Sequence, residues 1–270
     1  MSENRMTMKV TIIGAGNMGG AMVRGLMRGA NSQNWEIAAS NPHENKLSLL
    51  QTEWPQLHTY TNNWEASLDA DVVILAVEPL RISEVIDQIA PEAEQLVVSV
   101  AAGVSLDCLE EYLGSERPLF RAIPNTPVSV GEGMTLLSSR RASADDERLV
   151  QSVFREMGLA VFLPEEQLEA GMMLTSCGVA YALKYVQASM QGGVELGLPV
   201  QVAMRMVAQT LIGTGRLLLD DDTHPSLEID RVTTPGGITI RGINELESSG
   251  FVSAVVRALK VRKRFAGNKD

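Results

Sequence analysis

The β-branched run KVTII (Lys9–Ile13) leads directly into GAGNMG, and no other feature of the chain limits its folding as tightly. The run reads as a short buried strand. The next residues form G-x-G-x-x-G, with Gly14, Gly16 and Gly19, and open a helix expected over about Asn17–Arg28, with Met18, Met22, Leu26 and Met27 on one side. Gly14 permits the tight turn. Gly16 carries no Cβ, so a pyrophosphate can approach the backbone. Gly19 lets the helix lie close to the strand. Free N–H groups and the positive end of the helix dipole favour phosphate at this point. The pattern is that of the first strand–helix unit of a dinucleotide-binding domain, with Gly14, Gly16, Asn17, Met18 and Gly19 as its cofactor-binding residues.

The unit repeats in kind. WEIAAS (Trp35–Ser40), DVVILAV (Asp71–Val77), LVVSVAAG (Leu96–Gly103), LFRAI, GMTLLSS and LAVFL (Leu159–Leu163) read as further strands. Before the last of them Ser143 caps a helix running to Met157, with Leu149, Val150, Val153 and Phe154 on one face and Gly158 as its stop. Alternation of this kind predicts an α/β fold, a Rossmann-like doubly wound parallel sheet over residues 1–164. After Pro164 the pattern becomes helical. A long helix is expected over Glu166–Leu196. GLP (Gly197–Pro199) closes it and opens another to about Leu219, and DDDTHP is a turn. The loop VTTPGGITIRG (Val232–Gly242) follows, with a helix from about Thr239 to Ser249 and a last one from Phe251 to Arg264. Residues 165–270 thus form an all-helical domain. Its small residues, Gly171, Ala180, Ala182, Gly192 and Gly193, let helices pack closely, and an intimate homodimer is expected.

Composition removes several function classes. A net charge of −10 argues against a general nucleic-acid or acidic-membrane surface. No apolar run approaches the roughly 18 residues of a membrane span. The start, MSENRMTMKV, has no basic residues followed by an apolar stretch, so no signal peptide is expected. Cys108 and Cys177 are far apart and lack CxxC spacing, which points to a reducing, cytoplasmic setting. His43, His58 and His224 are scattered, and no metal site is expected. The basic residues Lys260, Arg262, Lys263 and Arg264 read as a helix end facing the negative pole of its dipole.

The second strand ends in Ser40-Asn41, where NAD enzymes usually carry Asp or Glu. No carboxylate there repels a 2′-phosphate, and Ser40, Asn41, His43 or Lys46 can donate to one, which favours NADPH over NADH. The same residues also read as an ordinary Asn-Pro turn. A dehydrogenase acting on hydroxyl groups needs a general base. Hydroxyacid dehydrogenases built from a Rossmann and a helical domain carry a Lys followed four residues later by Asn; here Lys184 is followed by Ala188. His224, in a turn before Pro225, reads as structural. A substrate already activated as an iminium needs no base, only orientation. TTPGG followed by a helix start offers N–H groups and the hydroxyls of Thr233, Thr234 and Thr239, a nest suited to a small carboxylate. It equally reads as a plain interhelix turn with a capping threonine.

Taken together, several segments resemble the pyrroline-5-carboxylate reductase family. They are GAGNMGGAM after the first strand, ILAVEP with Ala76, Val77 and Pro79, RAIPNTPVSVGEGM (Arg121–Met134), GLP followed by VAQTLIG and HP, and VTTPGGITIRGINELESSGF. The resemblance runs in order through nearly the whole chain. It implies reduction of 1-pyrroline-5-carboxylate to L-proline with NADPH, or NADH, as donor, by a homodimer that in some members assembles into larger rings of dimers. It implies that Thr234, Gly236, Gly237 and Thr239 hold the substrate, with Thr239 hydrogen-bonded to the ring nitrogen as the catalytic residue. Pro124, Asn125 and Thr126 then lie by the nicotinamide and Asn63 on the adenosine side. Asp222 and Asp230 match acidic positions of the pattern, Asp230 on the substrate side, and Thr175 opens the substrate helix. Two departures stand out. Glu78 occupies the lysine position of the family's A-V-K-P, and TSCGVA (Thr175–Ala180) replaces S-G-S-G-P-A, with Cys177 as a packed stand-in for serine. The alternatives are a related cyclic imine reductase of altered ring size and a non-catalytic NADP-binding regulatory protein.

Overall fold

The computed structural model describes residues 7–220 and 222–261. The expectations that fall on residues 1–6 and on Arg262, Lys263 and Arg264 lie outside the described residues. The chain divides into two compact units, Met1–Ser176 and Cys177–Asp270.

The first unit is built on one eight-stranded sheet in the order β3-β2-β1-β4-β5-β6-β7-β8. The strands are β1 (Lys9–Ile13), β2 (Glu36–Ser40), β3 (His58–Tyr60), β4 (Val72–Leu75), β5 (Leu96–Ser99), β6 (Leu119–Pro124), β7 (Gly133–Arg140) and β8 (Gly158–Phe162). The helices are α1 (Asn17–Arg28), α2 (Glu44–Glu53), α3 (Asn63–Ser67), α4 (Ile82–Ile89), α5 (Leu106–Leu113) and α6 (Ala144–Arg155). Alternate strand residues face opposite layers. Val72 and Ile74 of β4 join Met22 and Leu26 of α1 and Phe154 of α6 on one side of the sheet. Val73 and Leu75 join Ala66 of α3, Ile82 and Val85 of α4 and Leu109 of α5 on the other. Burial on both faces explains why these strands read as unbroken apolar runs.

The sheet departs from the all-parallel expectation in one place, since β6 and β7 pair antiparallel, Leu119 opposite Arg140 and Pro124 opposite Thr135. Only the short 3-10 turn Thr126–Val130 lies between them. That is too little chain for the crossover a parallel pair requires. Ser143 caps α6 in a full capping box with Asp146. Arg24 of α1 forks onto Glu53 of α2 at 2.7 and 2.8 Å, and this bond holds the Glu53 carboxyl below its ordinary range.

The second unit is helical. The long α7 (Leu168–Glu195) begins in the first unit and runs into the second; α8 (Val200–Asp220), α9 (Pro225–Val232), α10 (Ile238–Ser248) and α11 (Phe251–Leu259) follow. The boundary expected after residue 164 falls where β8 has ended. The division lies later because Leu168 is fully buried and Gly171 packs so close to Leu136 that a Cβ would stand 2.5 Å from its Cδ1. Within the second unit, Tyr181 of α7 donates to Ala258 O of α11 at 3.2 Å. Ala203 is its one fully buried residue among those described, while Leu183, Ile212 and Val252 are 62%, 58% and 52% exposed. Pro225–Val232, which the sequence left without an element of its own, forms α9. His224 Nδ1 caps it by accepting from Ser226 N at 3.2 Å, a structural role. Among the described residues no helix is long and apolar enough to cross a membrane, and no cluster of acidic, histidine or cysteine side chains is arranged to hold a metal.

Gly25 shows which force sets the position of α1. Alanine in a helix interior gains about 1 kcal/mol over glycine. A Cβ at Gly25, however, would stand 2.2 Å from Val128 O and 2.8 Å from Met157 Cγ. Overpacking against a backbone carbonyl that cannot turn aside costs about 1–3 kcal/mol. Gly25→Ala is therefore expected to lower stability by about 1–2 kcal/mol in urea unfolding, against its helix propensity; a stabilised variant would refute close packing of α1 on the 126–130 turn.

Candidate active site

Strands β1, β2, β4, β5 and β6 run parallel, so the loops that leave their C-terminal ends share one edge of the sheet. That edge carries the Gly14 turn, Ser40, Ala76–Pro79 and Asn125. The strand order reverses between β2 and β4 around β1, the switch point at which open α/β sheets bind ligands.

At the end of β1, Gly14 has φ +101, a conformation that glycine alone adopts readily. A side chain there would also strike the outgoing β4 loop, 2.6 Å from Ala76 O and 2.8 Å from Val77 Cγ1. The N–H groups of Gly14 and Ala15 both donate to Ser40 O, at 2.9 and 3.0 Å. A Cβ at Gly19 would lie 1.9 Å from Gly14 O, so the helix rests on the turn itself. Gly16 differs, since a Cβ there would meet nothing within 4 Å. No side chain caps α1 and no acid stands in its first turn. The helix start, with Asn17 and Met18, thus faces open space with uncommitted N–H groups, which fits a dinucleotide pyrophosphate.

Next to this turn, Ser40 is fully buried. Its Oγ donates to Asn63 Oδ1 at 2.7 Å, and Asn63 Nδ2 donates to Gln88 Oε1 at 2.6 Å. Asn41 Oδ1 accepts from His43 N at 2.9 Å, an Asx turn that commits this oxygen locally. Beyond them opens a cavity of about 450 Å³ lined by Pro42, Thr61, Asn62, Asn63, Trp64, Arg81 and Gln88. Glu78 is exposed and is not among the lining residues. Trp64, Arg81 and Gln88 were not singled out from the sequence; the signal available was Arg81, three residues after Glu78.

At the end of β6, Pro124 and Asn125 are buried and Thr126 is exposed. Asn125 Oδ1 accepts from Met134 N at 2.8 Å and its Nδ2 donates to Thr175 O at 3.1 Å. The Thr175 hydroxyl donates back to Gly171 O at 3.1 Å within α7. Beside it, Ser176 Oγ is buried without a hydrogen-bond partner.

In the second unit, Thr234 O accepts from Gly237 N at 2.9 Å around Pro235 and Gly236, whose φ is +72. This is the geometry of a type II turn. A Cβ at Gly237 would stand 2.6 Å from Thr234 Oγ1. The turn brings Thr234, Gly236, Gly237 and Thr239 together at the start of α10. No side chain caps that start and no acid stands in its first turn, so the capping threonine expected on the plain-turn reading is not there. The Gly237 N–H is committed within the turn, which leaves those of Gly236, Ile238 and Thr239 as the open donors. Thr233 Oγ1 is tied to Ile229 O and Asp230 O. Asp222 and Asp230 are exposed. Lys184, the position checked for a base, is exposed and donates to Gln187 Oε1 at 2.9 Å.

Residues 165–266 match the family model described as pyrroline-5-carboxylate reductase dimerisation, and residues 9–103 match the one described as NADP oxidoreductase, coenzyme F420-dependent. The chain is 35% identical to pyrroline-5-carboxylate reductase 3 of Macaca fascicularis, over 94% of this chain and 93% of the relative. Among solved structures it is similar to a pyrroline-5-carboxylate reductase from Coxiella burnetii, with a TM-score of 0.84 and 32% identity over 94% of this chain and 95% of that one. It is also similar to the Plasmodium falciparum pyrroline carboxylate reductase with NADP bound, with a TM-score of 0.79 and 26% identity over 95% of this chain and 96% of that one.

Asn125 is the hinge of the β6 end, bonded to β7 on one side and to α7 on the other. Removing its amide leaves the Met134 N–H without its acceptor, at about 1–3 kcal/mol. Asn125→Ala is expected to lower the unfolding free energy measured in urea by that amount while the far-ultraviolet spectrum is kept; unchanged stability would mean that the bridge is not made.

Proposed function

Because the chain belongs to the pyrroline-5-carboxylate reductase family, we propose that its first glycine loop holds the cofactor and its second holds the carboxylate of the substrate. The protein is an NAD(P)H-dependent oxidoreductase that reduces 1-pyrroline-5-carboxylate to L-proline, the last step of proline biosynthesis. When bound, the reduced nicotinamide supplies the hydride for the imine carbon.

The observation that carries the residue assignment is the uncapped start of α10 behind the Thr234–Gly237 turn. Its open N–H groups at Gly236, Ile238 and Thr239 and the Thr234 hydroxyl bind and orient the carboxylate, and the helix dipole favours the negative charge. The Thr239 hydroxyl hydrogen-bonds the ring nitrogen and fixes which face of the C=N bond is presented. No base is required, because the iminium nitrogen accepts the electron pair as the carbon receives hydride. Gly14, Gly16, Asn17, Met18 and Gly19 seat the pyrophosphate. Ser40, Asn41 and Asn63 take the adenosine side, Ala76, Val77 and Pro79 border the cofactor, and Pro124, Asn125 and Thr126 border the nicotinamide. Thr175, two turns into α7 rather than at its start, contributes from the substrate helix, and Asp230 as an acidic group on the substrate side.

The protein is a homodimer through its second unit, whose apolar helix faces are largely uncovered in the single chain. We further place it in the cytoplasm, where two cysteines without a disulfide persist, and expect dimers to associate into rings without binding nucleic acid.

NADPH oxidation followed at 340 nm with racemic 1-pyrroline-5-carboxylate, with proline identified as the product, tests the reading. A six-membered cyclic imine carboxylate run in parallel separates a ring-size variant. Hydrogen bonds to charged groups contribute about 1.5–3 kcal/mol, so Thr239→Ala should lower kcat/KM about 10- to 100-fold. Thr234→Ala should act mainly through KM. Unchanged kinetics in both variants would remove the loop from the site, and absence of turnover with either cofactor would sink the reductase reading.

A further inference from the structure

We propose that Arg81 is the residue that selects a 2′-phosphorylated cofactor. The assignment rests on the reductase reading above and names the group that would make NADPH the preferred donor.

NADPH differs from NADH by a phosphate on the adenosine 2′-oxygen, which carries about −1.5 to −2 charge near neutral pH. A site that prefers NADPH needs a cation where that group falls. The path to it is set by bonds already in place. The pyrophosphate position is fixed by the uncapped start of α1 behind Gly16. The turn is joined to the end of β2 by the two N–H groups on Ser40 O. In a sheet of this order the adenosine ribose follows the pyrophosphate toward the C-terminal end of β2. That end is Ser40-Asn41-Pro42, and Pro42 already lines the cavity of about 450 Å³.

The seven residues lining that cavity include one cation, Arg81, and no carboxylate. Arg81 is also positioned. Its N–H donates to Glu78 O at 2.9 Å, which fixes the start of α4. A chain of side-chain bonds runs from Ser40 through Asn63, at 2.7 Å, and Gln88, at 2.6 Å, to Glu84, at 3.0 Å. Glu84 then meets Arg81 Nε at 3.4 Å and Nη2 at 3.5 Å. These last contacts are long, the pair is exposed, and such pairs contribute little. Glu84 engages only the Nε and Nη2 edge, so the guanidinium keeps further donors for a phosphate dianion, a partner that arginine binds with short charge-assisted bonds. Glu78, as near to Arg81 in sequence as Glu84, is absent from the cavity wall.

The test is calorimetric binding to the purified full-length protein. Dissociation constants are measured for NADPH, NADH, adenosine 2′,5′-bisphosphate and AMP, for the parent and for Arg81→Gln, Arg81→Lys and Glu84→Gln. Arg81→Gln should weaken NADPH and the bisphosphate about tenfold or more and leave NADH and AMP within about twofold. Arg81→Lys should recover part of the loss, and Glu84→Gln should tighten NADPH. The affinity of the parent for NADPH should fall with added salt more steeply than that of Arg81→Gln. Equal weakening of NADPH and NADH would overturn the proposal and make Arg81 a stacking partner for adenine. Unchanged NADPH binding would overturn it as well. A parent protein that binds neither dinucleotide would instead remove the reductase reading, and this proposal with it.

Discussion

A single carbonyl oxygen organises the first unit. Ser40 O accepts from the N–H groups of both Gly14 and Ala15, at 2.9 and 3.0 Å. These are the two residues that the G-x-G-x-x-G turn places between a strand and a helix, where the sheet ladder no longer supplies partners. Buried N–H groups without an acceptor would each cost about 1–3 kcal/mol. The shared oxygen therefore fixes the turn to the end of β2, and the turn fixes the start of α1, because Gly19 rests against Gly14 O too closely to admit any side chain. The hydroxyl of the same serine reaches the other way, to Asn63. One residue in the floor of the sheet thereby connects the open start of α1 to the wall of the cavity lined by Asn63, Arg81 and Gln88.

A second close approach ties α1 to the far end of the edge. Gly25 faces Val128 O inside the 126–130 turn, which follows directly from Asn125. Asn125 in turn bonds Met134 N and Thr175 O. The helix whose start is open to phosphate is thus also the support for the segment assigned to the nicotinamide. Two helical glycines, Gly19 and Gly25, thus hold the Gly14 turn and the 126–130 turn against a single helix.

The sequence was most informative where a residue's requirement is local. Each glycine of GAGNMG answers to a neighbour within a few positions, and the structure adds the distances. TTPGG was legible as a turn or an anion nest, and the structure makes it both: a type II turn whose next helix is uncapped. What could not be read was which N–H the turn consumes, since the bond from Gly237 to Thr234 O depends on coordinates. The antiparallel β7 was accessible only by counting the chain between two strands. The eight-residue α9 is too short for apolar periodicity to separate it from a turn. Arg81 was missed for a different reason. Its place in the adenosine-side cavity depends on Asn63 and Gln88, a pair 25 positions apart that no spacing rule joins.

The distribution of helix caps carries the electrostatic logic of the molecule. Three helix starts of the first unit carry both a side-chain cap and an acid, Asn62 with Glu65 at α3, Ser105 with Asp107 at α5, and Ser143 with Asp145, Asp146 and Glu147 at α6, while α2 and α4 carry an acid without a side-chain cap. At α1 and α10 both are withheld. An uncapped start alone is not a binding site. The start of α11 is also bare, after a left-handed Gly250 that turns one helix into the next. What α1 and α10 share is a turn with two glycines, Gly14 and Gly16 or Gly236 and Gly237, pinned by backbone bonds in front of the bare end, where α11 has the single Gly250. On the proposed assignment, a chain with net charge −10 receives a polyanionic cofactor and an anionic substrate at backbone dipoles, which add no net charge. A side-chain cation is then needed only where discrimination rather than binding is at stake, the role proposed for Arg81.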